Sequence, residues 1–317
     1  MEKGNFKRKL ISFHDKNYKL LLLIPLALLI FCFVYMGIFY SNNHNLFYKD
    51  ISLTGGTSVT IDIINEPIDI NSLKDTVSEK LGDVNVREIS DLITRQQKAV
   101  IVETKSDEKI IRQVLEEYLG YELNGENSSF EFTGATLSEN FYKQLLIALL
   151  IAFVLMSIVV FIQFKSFIPS MAVILSAFAD ILMPLVLINI LGIQISTAGI
   201  VAFLMLIGYS VDTDILLINK VLRREGESVN RKIFDSFKTG MTMTLTSLFA
   251  VLAALFIVGP FSSILYQIFL IMGIGLGFDI LNTWLTNTSI IKWYVSRKGK
   301  NKSFSDSSNT GEKKNEN

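Results

Sequence analysis

The sequence predicts a polytopic α-helical membrane protein that carries one folded α+β domain between its first two spans. Three observations predict this class. Of the 317 residues, 50% are hydrophobic and only 19% are charged, whereas about a quarter of the residues in an ordinary soluble domain carry charge. Six separate stretches are long and apolar enough to cross a bilayer. Finally, residues 41–140 hold 18 of the 30 acidic residues but only 9 of the 30 basic ones, so an acidic block is set within an apolar, basic remainder.

The six apolar stretches give the order of the transmembrane helices. A spanning helix needs about 20 mostly apolar residues, and this requirement is met approximately over residues 20–39, 145–164, 167–191, 196–219, 241–258 and 264–290. The first stretch is longer than the apolar core of a signal peptide, and no small-residue cleavage site follows it. We therefore expect it to remain in the protein as a membrane anchor.

Basic residues indicate which way the chain crosses the membrane. Lys and Arg precede the first stretch, separate the fourth from the fifth and follow the sixth, whereas the loops 192–195 and 259–263 contain no charge. The positive-inside rule then puts both termini in the cytoplasm. The predicted organisation is a basic cytoplasmic N-terminus (1–19), a first transmembrane helix (20–39), an extracytoplasmic domain (40–140), helices two to six (141–292) with a cytoplasmic loop (220–240), and a disordered cytoplasmic tail (293–317).

The acidic block has the pattern of a small folded domain. Alternating or β-branched segments predict strands over 58–64, 84–89, 99–103 and 129–132. Helices are predicted from a cap at Asn71 to residue 81 and from Ser106 or Asp107 to residue 119. The order β-α-β-β-α-β is that of a ferredoxin-like split βαβ fold. Gly55 and Gly56 do not open a helix as a phosphate-binding loop would, so they predict a turn before the first strand.

Four acidic residues lie inside the apolar stretches. Asp180 is midway along the third and Asp279 midway along the sixth, while Asp212 and Asp214 lie in the second half of the fourth. Each ionisable group near the centre of a span costs about 2.5–3.5 kcal/mol on insertion, and no Lys, Arg or His lies in the six stretches. A carboxyl group in a low dielectric readily holds a proton, as a proton relay requires. A purely structural role, with each acid hydrogen-bonded as an internal tie, remains the alternative.

Polar residues at helical spacing indicate which helix faces lie in the interior of the bundle. The faces that we expect to converge there are formed by Asn282 and Thr283 beside Asp279, and by Thr239, Thr242 and Thr246 on the fifth stretch. Asp212 and Asp214 are about 200° apart around their helix, so they cannot both point the same way.

The sequence contains no signal for a metal, a cofactor or a nucleic acid. His14 and His44 have no partner at ligand spacing, so we expect no metal site. No nucleotide-binding motif occurs, and we expect no cofactor. The charges balance at 30 against 30, which gives no reason to expect a nucleic-acid partner. Cys32 is the single cysteine and therefore forms no intrachain disulfide.

The fourth stretch carries the most specific motif. Residues 207–217 read Ile-Gly-Tyr-Ser-Val-Asp-Thr-Asp-Ile-Leu-Leu and include Gly208, Tyr209 and Ser210. This segment resembles the fourth-helix signature of SecF in the SecDF complex, and its Asp-Thr-Asp version looks like the archaeal branch. Three weaker matches agree, namely Leu-Thr-Gly-Gly-Thr at 53–57, Ala-Asp at 179–180, and residues 239–246. The resemblance covers roughly residues 15–295.

The resemblance implies both an architecture and a function. Such proteins belong to the resistance-nodulation-division (RND) superfamily and have six helices, with a ferredoxin-like domain after the first. They pair with SecD as a heterodimer that completes a twelve-helix bundle in the lipid bilayer. They are thought to work beside a SecYEG-type channel, using the proton gradient to promote late export of preproteins, and they are not enzymes.

The sequence departs from bacterial members of the family at three positions. Thr213 occupies the acid position of the fourth-helix motif, with Asp212 and Asp214 on either side. The fifth helix lacks an Arg near its start, and Ser52 stands where an Asp is usual. The relay candidates are therefore ranked in the order Asp212, Asp214, Asp180 and Asp279. Asp212 comes first because Gly208 lies on the same helix face.

Two other functions are left as alternatives. A small-molecule exporter of the same superfamily would normally carry a second transmembrane half in the same chain, and no internal duplication occurs across the six stretches. An intramembrane aspartyl protease would use two acids to activate water. Its usual Gly-x-Gly-Asp motif is absent, because residues 275–279 contain one residue too many.

Overall fold

The computed structural model describes residues 2–63, 67–82, 84–90, 94, 96–223, 228–258 and 262–297. The elements in chain order are α1 Glu2–Asn43, α2 Ile51–Thr54, β1 Gly56–Asp62, α3 Ile70–Leu81, β2 Val84–Ser90, β3 Gln97–Thr104, α4 Glu108–Leu119, β4 Ser128–Thr133, α5 Ala135–Phe164, α6 Phe167–Ile190, α7 Thr197–Arg223, α8 Val229–Val258 and α9 Ser263–Leu281. The predicted tail beyond residue 297 and part of the predicted loop, residues 224–227, lie outside the described residues.

Six of these helices form a bundle. Helices α1 and α5 to α9 each contain, or continue into, a segment long and apolar enough to cross a bilayer. The prediction of a six-helix multi-pass membrane protein is therefore confirmed. Helices α6 and α7 are the most buried of the six, and α9 contacts both of them. The three helices that carry the buried acids thus form the centre of the bundle.

The sixth bundle helix continues past the end of α9. A π-helical turn follows over Asn282–Asn287, and the chain stays helical from residue 288 to residue 297. The helix therefore extends beyond the predicted ends at residues 290 and 292. A π-helical turn inserts an extra residue into an α-helix and occurs frequently at functional sites. No pattern in the sequence indicated it.

Strands β1 to β4 and helices α3 and α4 form a small domain, which we call the head. Its strands are ordered β2-β3-β1-β4, and every neighbouring pair is antiparallel. This is the order of a split βαβ fold, so the predicted ferredoxin-like domain is confirmed. The cap of α3 is Asp69, which accepts a hydrogen bond from the backbone amide of Asn71 at 3.0 Å. The predicted cap at Asn71 is therefore wrong by two positions.

The alternation of residues along β1 and β3 builds the core of the head. Val59 and Ile61 of β1 and Val100 and Val102 of β3 are fully buried, and they pack against the apolar faces of α3 and α4. Burying each such side chain contributes about 1.5–3 kcal/mol. The head is therefore held together by an apolar core of its own.

A separate apolar cluster joins the head to the bundle. Leu53 of α2 and Phe47 just before it are buried in one cluster with Tyr142 of α5, Ile188 of α6 and Ile195 of the α6–α7 connection. Strand β1 begins two residues after α2 ends. This contact therefore seats the base of the head on α5, α6 and α7, and we call this end of the bundle the head end.

Candidate functional site

Three of the four acidic residues expected in the site meet in the centre of the bundle. Asp180 of α6, Asp214 of α7 and Asp279 of α9 are each no more than 1% exposed. Among the described residues, no group of His, Cys, Asp and Glu side chains is arranged to hold a metal ion. We call these three residues the carboxyl cluster.

Asp180 links the three central helices through its two oxygens. Ser210 of α7 donates its hydroxyl to Asp180 Oδ2. Asn282, in the π-helical turn, donates from Nδ2 to Asp180 Oδ1 at 2.6 Å. Both donors are buried, and a buried carboxyl group needs such partners to offset the loss of water. The side chain of Asp180 is therefore satisfied by one donor from each neighbouring helix.

Asp214 and Asp279 share a single donor. The hydroxyl of Thr283 lies 2.7 Å from Asp214 Oδ1 and 3.2 Å from Asp279 Oδ1, and it has only one hydrogen to donate. The Oδ2 atoms of both acids have no hydrogen-bond partner in the described part of the chain. Two ionised carboxylates arranged around one hydroxyl in a low dielectric repel each other unless one of them holds a proton.

The polar face predicted for the sixth helix carries these donors. Asn282 and Thr283 lie three and four residues after Asp279 and are fully buried with it. The π-helical turn also brings Asn287 into the interior, where its side-chain amide has no hydrogen-bond partner among the described residues. The polar interior therefore extends from the carboxyl cluster away from the head end.

Asp212 lies outside the carboxyl cluster, although the sequence analysis ranked it first. Its side chain is exposed, whereas Asp214 is fully buried, as their angular separation requires. The buried side of α7 carries Ser210 and Asp214 and packs against α6 and α9. Gly208 and Tyr209 are exposed, as Asp212 is. The structure therefore places Asp214, and not Asp212, in the carboxyl cluster.

The threonine stripe of α8 was expected to converge with the other polar faces in the interior, but it does not reach the carboxyl cluster. Thr239, Thr242 and Thr246 are exposed, and each donates its hydroxyl to the backbone carbonyl four residues earlier in the helix. Helix α8 packs through a different face, where a Cβ on Gly240 would lie 2.5 Å from a ring carbon of Trp284. Because Gly240 has no side chain, the Trp284 ring can lie against this face of α8, and this face turns inward. The sequence signal that could have indicated this face is the spacing of three small residues four positions apart, Ser236, Gly240 and Thr244.

The two glycines of the family motif lie at the base of the head and not in the carboxyl cluster. Gly55 ends α2 with a φ of 80°, and Gly56 begins β1 with a φ of 144°. A Cβ on Gly56 would clash with the carbonyl oxygen of Thr104. Both positions therefore need glycine for reasons of backbone conformation and space.

A second buried polar group, which the sequence did not indicate, lies at the base of the head. Arg87 of β2 is ion-paired with Glu103 of β3, and its guanidinium lies 3.8 Å from Asp50 Oδ2. Burial and the nearby Asp50 carboxylate raise the pKa of Glu103, and Arg87 opposes this shift. We call Asp50, Arg87 and Glu103 the head-base triad. No local pattern indicated it, because Arg87 and Glu103 meet only when β2 pairs with β3, and Asp50 reaches them only when the head docks on the bundle.

Comparisons with known proteins cover most of the chain. A family model described as Protein export membrane protein SecD/SecF, C-terminal, matches residues 113–297. The protein-export membrane protein SecF of Methanocaldococcus jannaschii is 38% identical over 286 residues, which are 89% of this chain and 97% of that protein. The SecF proteins of Methanothermobacter thermautotrophicus and Pyrococcus furiosus are 34% and 33% identical, over 88% and 92% of this chain and 93% and 96% of their own lengths.

Two solved structures have a similar fold. The crystal structure of SecDF from Thermus thermophilus, a translocon-associated membrane protein, matches with a TM-score of 0.68 and 21% identity over 89% of this chain. SecDF in its super-membrane-facing form matches with a TM-score of 0.54 and 20% identity over 88% of this chain. The matched regions are 38% and 39% of those SecDF chains, so this chain spans well under half of their length.

Proposed function

The chain belongs to the SecD/SecF family of protein-export membrane proteins, and we propose that it acts as the SecF-type subunit of a SecDF-like complex. In this role it promotes export of preproteins across the cytoplasmic membrane beside a SecYEG-type channel. The complex uses the proton gradient, and this subunit catalyses no reaction of its own.

The observation that carries the proton-driven part of this proposal is the carboxyl cluster. Asp180, Asp214 and Asp279 come from three helices. Asp180 accepts from Ser210 on the helix of Asp214 and from Asn282 in the continuation of the helix of Asp279, while Asp214 and Asp279 share the Thr283 hydroxyl. The apolar stretches that contain them, residues 167–191, 196–219 and 264–290, hold no Lys, Arg or His. Buried acids without a fixed basic partner are the groups that bind and release protons in membrane transporters.

Proton binding at the carboxyl cluster changes the forces between the central helices. When both Asp214 and Asp279 are ionised, they repel each other across the Thr283 hydroxyl. A proton on either acid removes this repulsion and turns that acid into a hydrogen-bond donor. Loading and release of a proton therefore favour two different packings of α6, α7 and α9, and alternation between two packings can move an attached domain.

We further propose the orientation and the partner that this function requires. The head lies on the outer face, where a preprotein emerges, and both termini lie in the cytoplasm, as the distribution of Lys and Arg favours. Asp212 is exposed on this half-bundle, and an acid facing lipid is costly. A SecD-like partner that covers the exposed side of α7 removes that cost.

Proton uptake into vesicles tests the proposal. The complex with its SecD-like partner is reconstituted around a pH-sensitive dye, an acid-outside gradient is imposed, and preprotein export is measured in cells that carry the same variants. Asp214→Asn and Asp279→Asn should each lower proton uptake at least about tenfold, which corresponds to about 1.4 kcal/mol. The matched control is Asp212→Asn, two residues away on the same helix but outside the cluster, which should retain uptake within about twofold.

Two results would contradict proton coupling at this site. One is unchanged uptake and export in a triple variant with Asn at positions 180, 214 and 279. The other is uptake that follows a sodium gradient and not the proton gradient. Either result would leave the family membership intact and remove the carboxyl cluster as the coupling element.

A further inference from the structure

The turn at the base of the head is built as a rigid connector. Helix α2 is a single turn, capped by Asp50, whose Oδ1 accepts a hydrogen bond from the Ser52 amide at 3.0 Å. Gly55 and Gly56 follow at once, and Gly56 is already the first residue of β1. The Thr104 carbonyl fills the space beside Gly56. A displacement of α2 is therefore passed directly to the central part of the sheet.

A side chain of this turn caps the helix that carries Asp214. The backbone amide of Thr197, the first residue of α7, donates a hydrogen bond to Ser52 Oγ at 3.1 Å. The first amides of a helix have no partner within the helix, and a hydroxyl that accepts from one of them acts as a cap. The cap of α7 is thus supplied partly by α2, which leads into the head and lies about 145 residues earlier in the chain.

Backbone hydrogen bonds beside this cap hold the same two segments together. The Asp50 amide donates to the Ile195 carbonyl at 3.1 Å, and the Ile195 amide donates to the Tyr48 carbonyl at 2.7 Å. The segment leading into α2 and the segment leading into α7 therefore lie side by side as a short parallel bridge. The hydrogen bond from the Thr197 amide to Ser52 lies next to this bridge.

The same junction includes the start of α9. Gln267 of α9 accepts a hydrogen bond from the Ser196 amide at 3.0 Å and donates to the Gln194 carbonyl. Helices α7 and α9, which carry Asp214 and Asp279, are thus tied together where the head meets them. Asp214 lies about 26 Å along α7 from Thr197, at 1.5 Å per residue. No proline interrupts α7, so the helix can move as one rod.

We infer that Ser52 is a positioning residue that transmits displacement of α7 to the head, so that changes at the carboxyl cluster reach the outer domain. The inference rests on the proposed function. The head-base triad completes the connection, because Arg87 of β2 lies 3.8 Å from Asp50 Oδ2 while it is paired with Glu103 of β3. Asp50 and Ser52 thus join strands of the sheet to the first residue of α7.

Three variants distinguish the effect of losing the α7 cap from the effect of destabilising the turn. Ser52→Ala removes the acceptor for Thr197, and Ser52→Thr keeps a hydroxyl and should rescue the function. Thr54→Ala is the matched control, because among the described residues the Thr54 hydroxyl bonds only to the carbonyls of Asp50 and Gly55, within the same turn. All three are made in the full chain, reconstituted with its SecD-like partner.

The first readout compares proton uptake with preprotein export. With Ser52→Ala, uptake should stay within about twofold of the parent protein, while export should fall about fivefold, the factor that corresponds to loss of one helix cap. Ser52→Thr and Thr54→Ala should match the parent in both measurements. An equal fall in uptake and export with Ser52→Ala would show a merely structural role and would overturn the inference, as would unchanged export.

The second readout follows the movement itself and does not depend on proton transport. Spin labels are placed at Lys109→Cys in the head and Phe256→Cys in α8, both at exposed positions, in a Cys32→Ser background that removes the single cysteine. Asp214→Asn should shift the distance between the labels by about 1–5 Å, the range from a small helix slide to one helical turn. Ser52→Ala should abolish this shift.

The two proposals fail in different ways. If Asp214→Asn leaves proton uptake unchanged, proton coupling through Asp214 fails, and Ser52 is then judged by the label distance alone. A shift that persists with Ser52→Ala overturns the inference about Ser52. Absence of any shift with Asp214→Asn in the otherwise unchanged protein overturns it as well, because the head then receives no displacement from α7.

Discussion

Replacing Arg87 by methionine should destabilise the head, and the loss should grow as the pH rises. Asp50 and Glu103 are 5% and 8% exposed, and without Arg87 the two carboxyl groups would lose the cation that is paired with Glu103 and lies 3.8 Å from Asp50. Removing one partner of a fully buried ion pair costs about 3–5 kcal/mol. The Arg87 side chain is 32% exposed, so solvent screening reduces the expected loss to about 2–3 kcal/mol.

The direction of the pH dependence follows from the pKa of Glu103. Burial and the Asp50 carboxylate raise this pKa in the folded head, so the fold favours the protonated form. The stability that this group contributes is present below its unfolded pKa of about 4.3 and is lost as the pH rises through its folded pKa. Arg87→Met removes the cation that opposes the rise in pKa, so the loss should be smaller at about pH 5 than at about pH 8.

Pulse proteolysis in urea measures this loss for the head within the full-length protein, at both pH values. The double variant with Arg87→Met and Glu103→Gln should recover more than half of the stability lost at the higher pH, because only Asp50 then remains charged. Lys80→Met is the control, since its ion pair with Glu117 is exposed to solvent and contributes less than about 1 kcal/mol. Equal losses at the two pH values, or no recovery in the double variant, would refute the reasoning.

Further variants test packing and hydrogen bonding. Thr283→Val should lower the stability of the purified complex by about 1.5–3 kcal/mol at neutral pH, because the variant loses one hydrogen bond to a charged group. Thermal unfolding measures this loss. Gly240→Leu should reduce stability by about 1–3 kcal/mol in the same assay, because the added side chain meets Trp284. Gly56→Ala should destabilise the head by about 1–3 kcal/mol in pulse proteolysis, through strain and contact, whereas Gly125→Ala, with open space around it, should have little effect.

The helices and strands could be predicted because their signals are local. The length and hydropathy of each apolar stretch predicted the six bundle helices, and alternation of residues predicted the strands that became β1 to β4. Most errors were at ends and caps, as with Asp69 at the start of α3, although the single-turn helix α2 was not predicted. The continuation of the sixth helix to residue 297 through a π-helical turn could not be predicted, because such a turn depends on the packing around it.

The carboxyl cluster could be predicted only in part. Asp180 and Asp279 were expected in the interior, and so were the donors Asn282 and Thr283, but Asp212 was ranked before Asp214 on the fourth helix. That Thr283 lies between Asp214 and Asp279, and that Asn282 reaches Asp180, depends on how α6, α7 and α9 approach one another. The head-base triad gave no sequence signal, since its members are brought together by strand pairing and by the docking of the head.

Sequence by itself determined that acids would lie within membrane spans, that a small α+β domain would follow the first span, and that Asp212 and Asp214 would point in different directions. These properties depend on the local composition of the chain and on the number of residues per turn of an α-helix, and both are determined by residues close together in the sequence. Only the tertiary structure decided that Asp214 faces inward and Asp212 does not, and that α8 turns Gly240 and not its threonines towards its neighbours. The inward face of a helix is chosen by the shapes packed against it, and those shapes come from residues far away in the chain.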